Sequence, residues 1–158
     1  MRLEYFEMID RVVALDRDAG TIHAQADVPA VSPIFEGHFP GHPIMPGVLL
    51  LETMAQAAGY LALARNGLVQ MPFFAGSSKA KFRRFVVPDT VMDIRAKLVH
   101  DGSGYAVFET RIDQDGRVAD AEVMLRIMDF PAEDLRQAML ARARTIGLGA
   151  GIEAELAP

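Results

Sequence analysis

Apolar and polar residues alternate along several stretches of the chain, and this period of two is typical of strands with one buried face. A β-branched run at 11–18 comes first and ends in an Asp-Ala-Gly turn, and residues 21–28 then alternate at every position. The same alternation recurs in three later segments, residues 92–98, 105–112 and 119–127. Turn sequences of Gly, Asp and Ser at 101–104 and 115–116 separate these later segments and are typical of hairpins. The pattern predicts consecutive antiparallel strands that bury one face.

A segment from Gly47 to about Asn66 has a different pattern, because it is apolar on all sides rather than on one stripe. Pro46 before it and Asn66-Gly67 after it are the usual start and stop signals of a helix. We therefore predict a buried helix that the strands wrap around, in an α+β fold with one curved antiparallel sheet. Shorter helices are predicted at residues 3–10 and 132–144. The weakly patterned residues 147–158 are expected to fray.

Between strand and helix lies a segment rich in proline and glycine, residues 29–47. These residue types predict an irregular loop without helix or strand. Because proline restricts the backbone, the loop should keep a defined path, which suits a functional site better than a tether.

Composition narrows the class of protein. The chain has 158 residues, 51% hydrophobic and 23% charged, as expected for one soluble domain with a core. A net charge of −5 argues against nucleic acid as a partner, and the lack of cysteine excludes disulfides and thiol catalysis. The N-terminus lacks the apolar core of a secretory signal. The apolar stretch 48–64 contains Glu52 and Gln56, so we reject a membrane span and expect a cytoplasmic protein.

Two residues are candidates for chemistry. Glu52 is an acid in an otherwise buried helix, and it either faces solvent, pairs with a buried base or serves a site. His38 lies in the loop, where a lone histidine is more often a surface residue than a catalyst. His42 follows four residues later, but Pro40 and Gly41 prevent the helical geometry that would let both bind one metal ion, so we predict no metal site.

The residues around these candidates carry a family resemblance. Gly37-His38-Phe39-Pro40-Gly41, then Pro43 to Val48, then Glu52, resemble the signature of the FabZ-type (3R)-hydroxyacyl-acyl carrier protein dehydratases. That family has the hot-dog fold, a curved antiparallel sheet around a long central helix. The resemblance covers roughly residues 1–130, which implies a hot-dog domain there and a helical extension and tail at 131–158. His42 and Pro88-Asp89-Thr90 depart from the family pattern.

The resemblance implies a reaction and roles for residues. His38 and Glu52, fourteen positions apart as in the family, would be the catalytic pair that converts a (3R)-hydroxyacyl thioester to the trans-2-enoyl thioester. Glutamate rather than aspartate favours the simple dehydratase over the related dehydratase-isomerase, without settling isomerase activity. Backbone amides of Gly47 and Val48 would receive charge on the thioester oxygen. The two catalytic groups would come from different subunits of a homodimer, which can assemble as a trimer of dimers.

The remaining implications concern substrate and partner. No cofactor is expected, since the substrate is carried on the phosphopantetheine of acyl carrier protein. The basic residues Lys79, Lys81, Arg83 and Arg84 would form a landing surface for that acidic partner, or simply a solvated strand face. The substrate tunnel would be lined by Phe39, Met54, Phe73 and Phe74. Both termini resemble a branch linked to very-long-chain acyl groups of lipid A. The alternatives are a hot-dog thioesterase and a catalytically silent partner that binds acyl carrier protein.

Overall fold

A six-stranded antiparallel sheet and three helices make up the fold in the computed structural model, which describes residues 1–148. The strands are β1 (Arg11–Asp16), β2 (Thr21–Asp27), β3 (Gln70–Phe82), β4 (Val91–Gly102), β5 (Tyr105–Gln114) and β6 (Gly116–Asp129). The helices are α1 (Pro33–Gly37), α2 (Gly47–Arg65) and α3 (Glu133–Thr145). The sheet order is β1-β2-β4-β5-β6-β3, so β1 and β3 are the two edges.

The alternating segments form strands as predicted. In β2 the residues Ile22, Ala24 and Ala26 are buried and face α2, and they pair with buried positions of β4, such as Ile22 with Ala96. The same alternation is seen in β4, β5 and β6. The predicted hairpin turns connect β4 to β5 and β5 to β6. The prediction of an α+β hot-dog fold is confirmed.

Helix α2 is the core around which the sheet curves. Twelve of its residues are buried, and it contacts five of the six strands, β2 to β6. By length and composition α2 could cross a membrane, yet 67% of that stretch is buried inside the domain, as in the core helix of a globular fold. Its burial explains why the segment is apolar on all sides.

Two local predictions were wrong. Residues 3–10 form only a 3-10 turn, Leu3–Tyr5, which ends where Phe6 takes a left-handed conformation with φ of 56°. The loop 29–47 contains α1, because Pro33 fits the first turn of a helix and the Ser32 side chain accepts from the amide of Ile34 at 3.2 Å. Lys79 and Lys81, two of the basic residues for which a strand face was one interpretation, lie at the end of β3, which begins at Gln70 and stops at Phe82.

The C-terminal helix packs on the domain. Ala143, Ile146 and Leu148 are buried, and the amide of Val12 at the β1 edge donates to the carbonyl of Ile146 at 2.7 Å. Residues 147 and 148, predicted to fray, are therefore described as part of the packed structure, while 149–158 lie outside the described residues. The C-terminal segment thus covers one edge of the sheet, and β3 is the other edge.

Candidate functional site

His38 is held in a defined orientation by the short segment between α1 and α2. Its backbone amide donates to the carbonyl of Ile34 at 3.1 Å, and its carbonyl accepts from the amide of Ile44 at 2.9 Å. The ring lies 4.2 Å from the ring of Phe39, and Nδ1 is 3.0 Å from the Ile44 carbonyl oxygen. A carbonyl only accepts, so Nδ1 carries the hydrogen and Nε2 of the neutral ring has the free lone pair. This tautomer suits a general base.

Glu52 lies about one and a half turns into α2 and is partly buried. Its Oε1 accepts from Nε2 of Gln56, one turn further along the helix, at 2.8 Å. The Gln56 amide also donates to the Phe6 carbonyl at 2.6 Å and accepts from the amide of Met8 at 3.1 Å. The Gln56 side chain is therefore fixed on three sides, and it fixes the carboxyl group of Glu52 in turn.

The carboxyl group of Glu52 borders a cavity of about 370 Å³ between α2, the β3 edge, the N-terminal segment and α3. Most of the lining is apolar. The lining residues are Phe6, Glu7, Glu52, Ala55, Gln56, Gly59, Tyr60, Leu63, Met71, Pro72, Phe74, Leu125, Met139 and Arg142. Burial raises the pKa of the Tyr60 hydroxyl, an effect that the positive charge of Arg142 opposes. A carboxyl group beside such a cavity can act on a polar group of a ligand whose apolar chain lies in the cavity.

The amino end of α2 lies open for an acceptor. Its first amides, Gly47 and Val48, make no hydrogen bond within residues 1–148, and the preceding Pro46 offers no capping side chain. The Phe82 ring lies beside Gly47, where an added Cβ would be 3.7 Å from the ring carbons. These amides and the helix dipole can stabilise a developing oxyanion.

Within one chain, His38 and Glu52 are not brought together. No hydrogen bond joins them anywhere in residues 1–148, and His38 is not among the residues that line the cavity beside Glu52. The four residues predicted to line the substrate tunnel do not lie together within one chain either. Phe74 lines the cavity, Phe39 and Phe73 are exposed, and Met54 is fully buried in the core. A tunnel through these residues stays a prediction.

The four basic residues lie at the end of β3 and just beyond it. Nζ of Lys79 is 3.1 Å from a Glu122 carboxylate oxygen, and Arg83 pairs with Asp120. Arg84 donates to a backbone carbonyl, that of Asp115, and so keeps its net charge. Within the described residues Lys81 makes no ion pair. Two of the four charges are therefore compensated and two are available to a partner.

Sequence reasoning missed several residues around the site. Gln56 is four residues after Glu52, a spacing that places side chains on the same helix face, so it could have been found. Phe82, Met139 and Arg142 gave no local signal, since they reach the site from distant parts of the chain. Within residues 1–148, no cluster of three or more His, Asp or Glu residues could hold a metal ion.

Comparisons with known proteins place this site in a family. The family model for the FabA-like domain matches residues 2–122. The FabZ 3-hydroxyacyl-[acyl-carrier-protein] dehydratase of Dichelobacter nodosus is 42% identical over 130 residues, which cover 75% of this chain and 84% of the relative. The FabZ enzyme of Shewanella woodyi is also 42% identical, over 124 residues that cover 75% of this chain and 80% of the relative. This chain belongs to the FabA-like family. Within it, the chain is of the FabZ type.

Solved structures agree on the fold. A chain of the dehydratase heterocomplex ApeI:P from Xenorhabdus doucetiae is 17% identical with a TM-score of 0.64, over 88% of this chain and 97% of that one. A putative thioesterase from Ralstonia eutropha is 18% identical with a TM-score of 0.58, over 73% of this chain and 82% of that one. At these identities the likeness concerns the fold alone.

Proposed function

We propose that this FabZ-type protein removes water from (3R)-hydroxyacyl thioesters of acyl carrier protein, as a 3-hydroxyacyl-[acyl-carrier-protein] dehydratase of fatty-acid biosynthesis. The observation that carries the proposal is the carboxyl group of Glu52, which borders an apolar cavity along the buried helix of a FabA-like fold. An acyl chain fits such a cavity, and its 3-hydroxyl group would lie near the carboxyl group.

In the proposed reaction, His38 and Glu52 each carry out one proton transfer. Nε2 of His38 takes the proton from Cα, and its tautomer leaves that nitrogen free because Nδ1 donates to Ile44. The Cβ–O bond breaks as Glu52 gives its proton to the leaving hydroxyl, a double bond forms between Cα and Cβ, and water departs. Return of the proton from His38 to Glu52 restores the starting state.

The negative charge of the reaction develops on the thioester oxygen. The free amides of Gly47 and Val48 are the donors that we assign to this oxygen, since they are unpaired and lie at the positive end of the α2 dipole. An oxyanion donor of this kind typically contributes about 10²–10³-fold to the rate.

A complete site requires a second copy of the chain. The β3 edge is 13 residues long and largely exposed, with apolar residues including Phe73, Phe74 and Phe82. A long, exposed, apolar edge strand is a template for pairing with another strand. We propose a homodimer in which two β3 edges pair and His38 of one copy faces Glu52 of the other. A trimer of such dimers stays a prediction.

Acyl carrier protein is the proposed partner, and the uncompensated charges of Lys81 and Arg84 support this assignment. An acidic carrier would be attracted to them and steered toward the adjacent amino end of α2, where Phe82 lies. That no cofactor is needed, that the protein is cytoplasmic, and that it serves very long acyl groups of lipid A are also predictions.

The direct test is an assay with a 3-hydroxyacyl thioester of acyl carrier protein, in which the absorbance of the conjugated enoyl thioester is followed. We expect turnover by the wild type, and a loss of about 10²–10⁴-fold in His38→Ala. The matched control is His42→Ala, which removes an exposed imidazole from the same loop. Release of free thiol would instead identify a thioesterase, and carrier binding without turnover would identify a silent partner.

A further inference from the structure

The cavity beside Glu52 follows one face of α2 over a long distance. Its α2 residues are Glu52, Ala55, Gln56, Gly59, Tyr60 and Leu63, which recur at the three- and four-residue spacing of one helix face. From Glu52 to Leu63 the helix rises roughly 16 Å. The small residues Ala55 and Gly59 leave room along this face, where Pro72 of β3 lies opposite Gly59. The cavity therefore extends well beyond the carboxyl group at its beginning.

Helix α3 forms a wall of the distal part of this cavity. Near its start, Nε of Arg136 donates to the carbonyl of Leu68, just beyond the end of α2, at 3.2 Å. Near its end, Nη2 of Arg142 donates to the carbonyl of Ile9 at 2.5 Å. Ile9 follows Met8, whose amide donates a hydrogen bond to the side chain of Gln56 in the middle of α2. These contacts place α3 alongside the second half of α2, where Met139 and Arg142 line the cavity.

The two α3 residues have different surroundings. Arg142 lies between the carbonyl of Ile9 and the carboxylate of Glu7, whose Oε2 is 3.8 Å from Nη1. It thus ties α3 to the N-terminal segment. Met139 is partly buried and packs against the core while it lines the cavity. A flexible, unbranched methionine side chain adapts to an apolar chain laid against it.

This wall lies outside the part of the chain that the family model matches. The match covers residues 2–122, whereas α3 spans Glu133–Thr145. A wall at the far end contacts only those acyl groups that are long enough to reach it, so it can discriminate between substrates by length without affecting the chemistry at Glu52.

We propose that α3 determines acyl-chain length in this enzyme, with Met139 in contact with the distal methylene groups and Arg142 anchoring the wall. The proposal rests on the proposed function, because the cavity receives an acyl chain only if Glu52 acts on acyl thioesters. Each methylene group moved from water to such a wall changes binding by roughly fourfold. A few methylene groups are enough to set a preference.

The test compares Met139→Trp with the wild type on a butanoyl-length and a palmitoyl-length 3-hydroxyacyl substrate. The indole would fill the distal cavity, so the ratio of kcat/KM for the long substrate over the short one should fall at least ~10-fold. Ala138→Trp places the same side chain on the exposed face of α3 and should leave this ratio unchanged. Thermal unfolding of both variants checks that α3 remains packed.

Met139→Ala tests the opposite direction and covers the case in which the tryptophan variant does not fold. It enlarges the cavity, and the preferred substrate should become longer. Identical length profiles for the wild type and Met139→Ala, or an equal loss for both substrates in a folded Met139→Trp, would overturn the role of α3. Turnover of the butanoyl-length substrate by the wild type tests the proposed function separately, since that chain ends before the wall.

Discussion

Gln56 holds the carboxyl group of Glu52 from one helical turn away, with its Nε2 2.8 Å from Oε1 of Glu52. The same amide group is fixed by the backbone of Phe6 and Met8, about fifty residues earlier in the chain. The N-terminal segment therefore sets the orientation of an acid that belongs to the central helix. A rigid acid is what a directed proton transfer requires.

Replacing this positioning residue tests the relationship. Gln56→Leu removes three hydrogen bonds and leaves the amide of the buried Met8 without its partner, so the free energy of unfolding should fall by about 1–3 kcal/mol. We also expect a decrease in kcat with little change in KM, because the acid loses its orientation while the cavity remains. Denaturant unfolding and steady-state kinetics measure the two effects. Gln137→Leu, on the exposed face of α3, is the control, and an unchanged kcat in Gln56→Leu would show that Glu52 needs no support.

Mixing two inactive variants tests whether the site is shared between copies. Glu52→Gln keeps the volume and the contact with Gln56 but cannot donate a proton as a carboxyl group does, so its kcat should fall about 10²–10⁴-fold. His38→Ala should be similarly inactive. Refolded together, the two variants should recover roughly a quarter of wild-type activity, because half of the dimers are mixed and each mixed dimer has one intact site. If both groups of a site came from the same chain, mixing would restore nothing.

The role of the Gly47 amide can be tested with proline. Position 47 is the first residue of α2, where proline is favoured, and Pro46 has the extended conformation (φ −58°, ψ 136°) that a following proline requires. Gly47→Pro should therefore fold while it removes one N–H donor, and kcat should fall about 10²–10³-fold. Gly47→Ala keeps the donor, and its Cβ would make an ordinary contact with Phe82. Equal kcat values for the two variants would argue against this amide as an oxyanion donor.

Charge reversal tests the carrier surface. Lys81→Glu combined with Arg84→Glu should raise KM for substrates on acyl carrier protein by about 10-fold at low salt, and the difference should shrink as salt is added. Small thioester substrates that lack the carrier should be unaffected. The control reverses Lys97, a basic residue on β4, which is three strands away from β3 in the sheet. A loss that is equal with and without the carrier would indicate a structural effect.

The lowered pKa of Asp93 predicts that the stability of the fold depends on pH. Nε2 of His23 lies 2.6 Å from its carboxylate, and this hydrogen bond, with a further one from Gln25, holds the pKa of Asp93 below its ordinary value. The charged form is thus favoured by folding, and the stabilisation is present above the ordinary aspartate pKa of about 3.9 and is lost as pH falls through the lowered value. Asp93→Asn should lower the free energy of unfolding by about 0.5–1 kcal/mol at neutral pH and by less in acid.

Denaturant unfolding at several pH values measures this difference. Asp89→Asn is the matched control, since Asp89 is exposed in a left-handed turn with φ of 60° that asparagine also adopts. A difference between Asp93→Asn and the wild type that stays constant down to the lowest pH would contradict the assignment.

The order of apolar and polar residues along the chain predicts which segments, and which of their faces, are buried in the core. The alternation in residues 21–28 and 105–112 identified the buried face of each strand, because a strand presents successive side chains to opposite sides. The continuous apolar pattern after Pro46 identified α2 as a buried helix. The spacing of His38 and Glu52 within their motif identified the family. Each of these signals is local, because it is contained in a short stretch of consecutive residues.

The structure decided what local signals do not contain. Strand β3 was recognised only at its basic end, because both of its faces are partly or fully exposed and Pro72 is tolerated at a sheet edge, so no alternation marks it. Gln56 meets Phe6 across fifty residues, and Arg142 meets Ile9 across more than a hundred. A sequence pattern shows that a residue is buried, but only the packing of distant segments determines which side chains surround the acid, and α3 became a wall of its cavity for that reason.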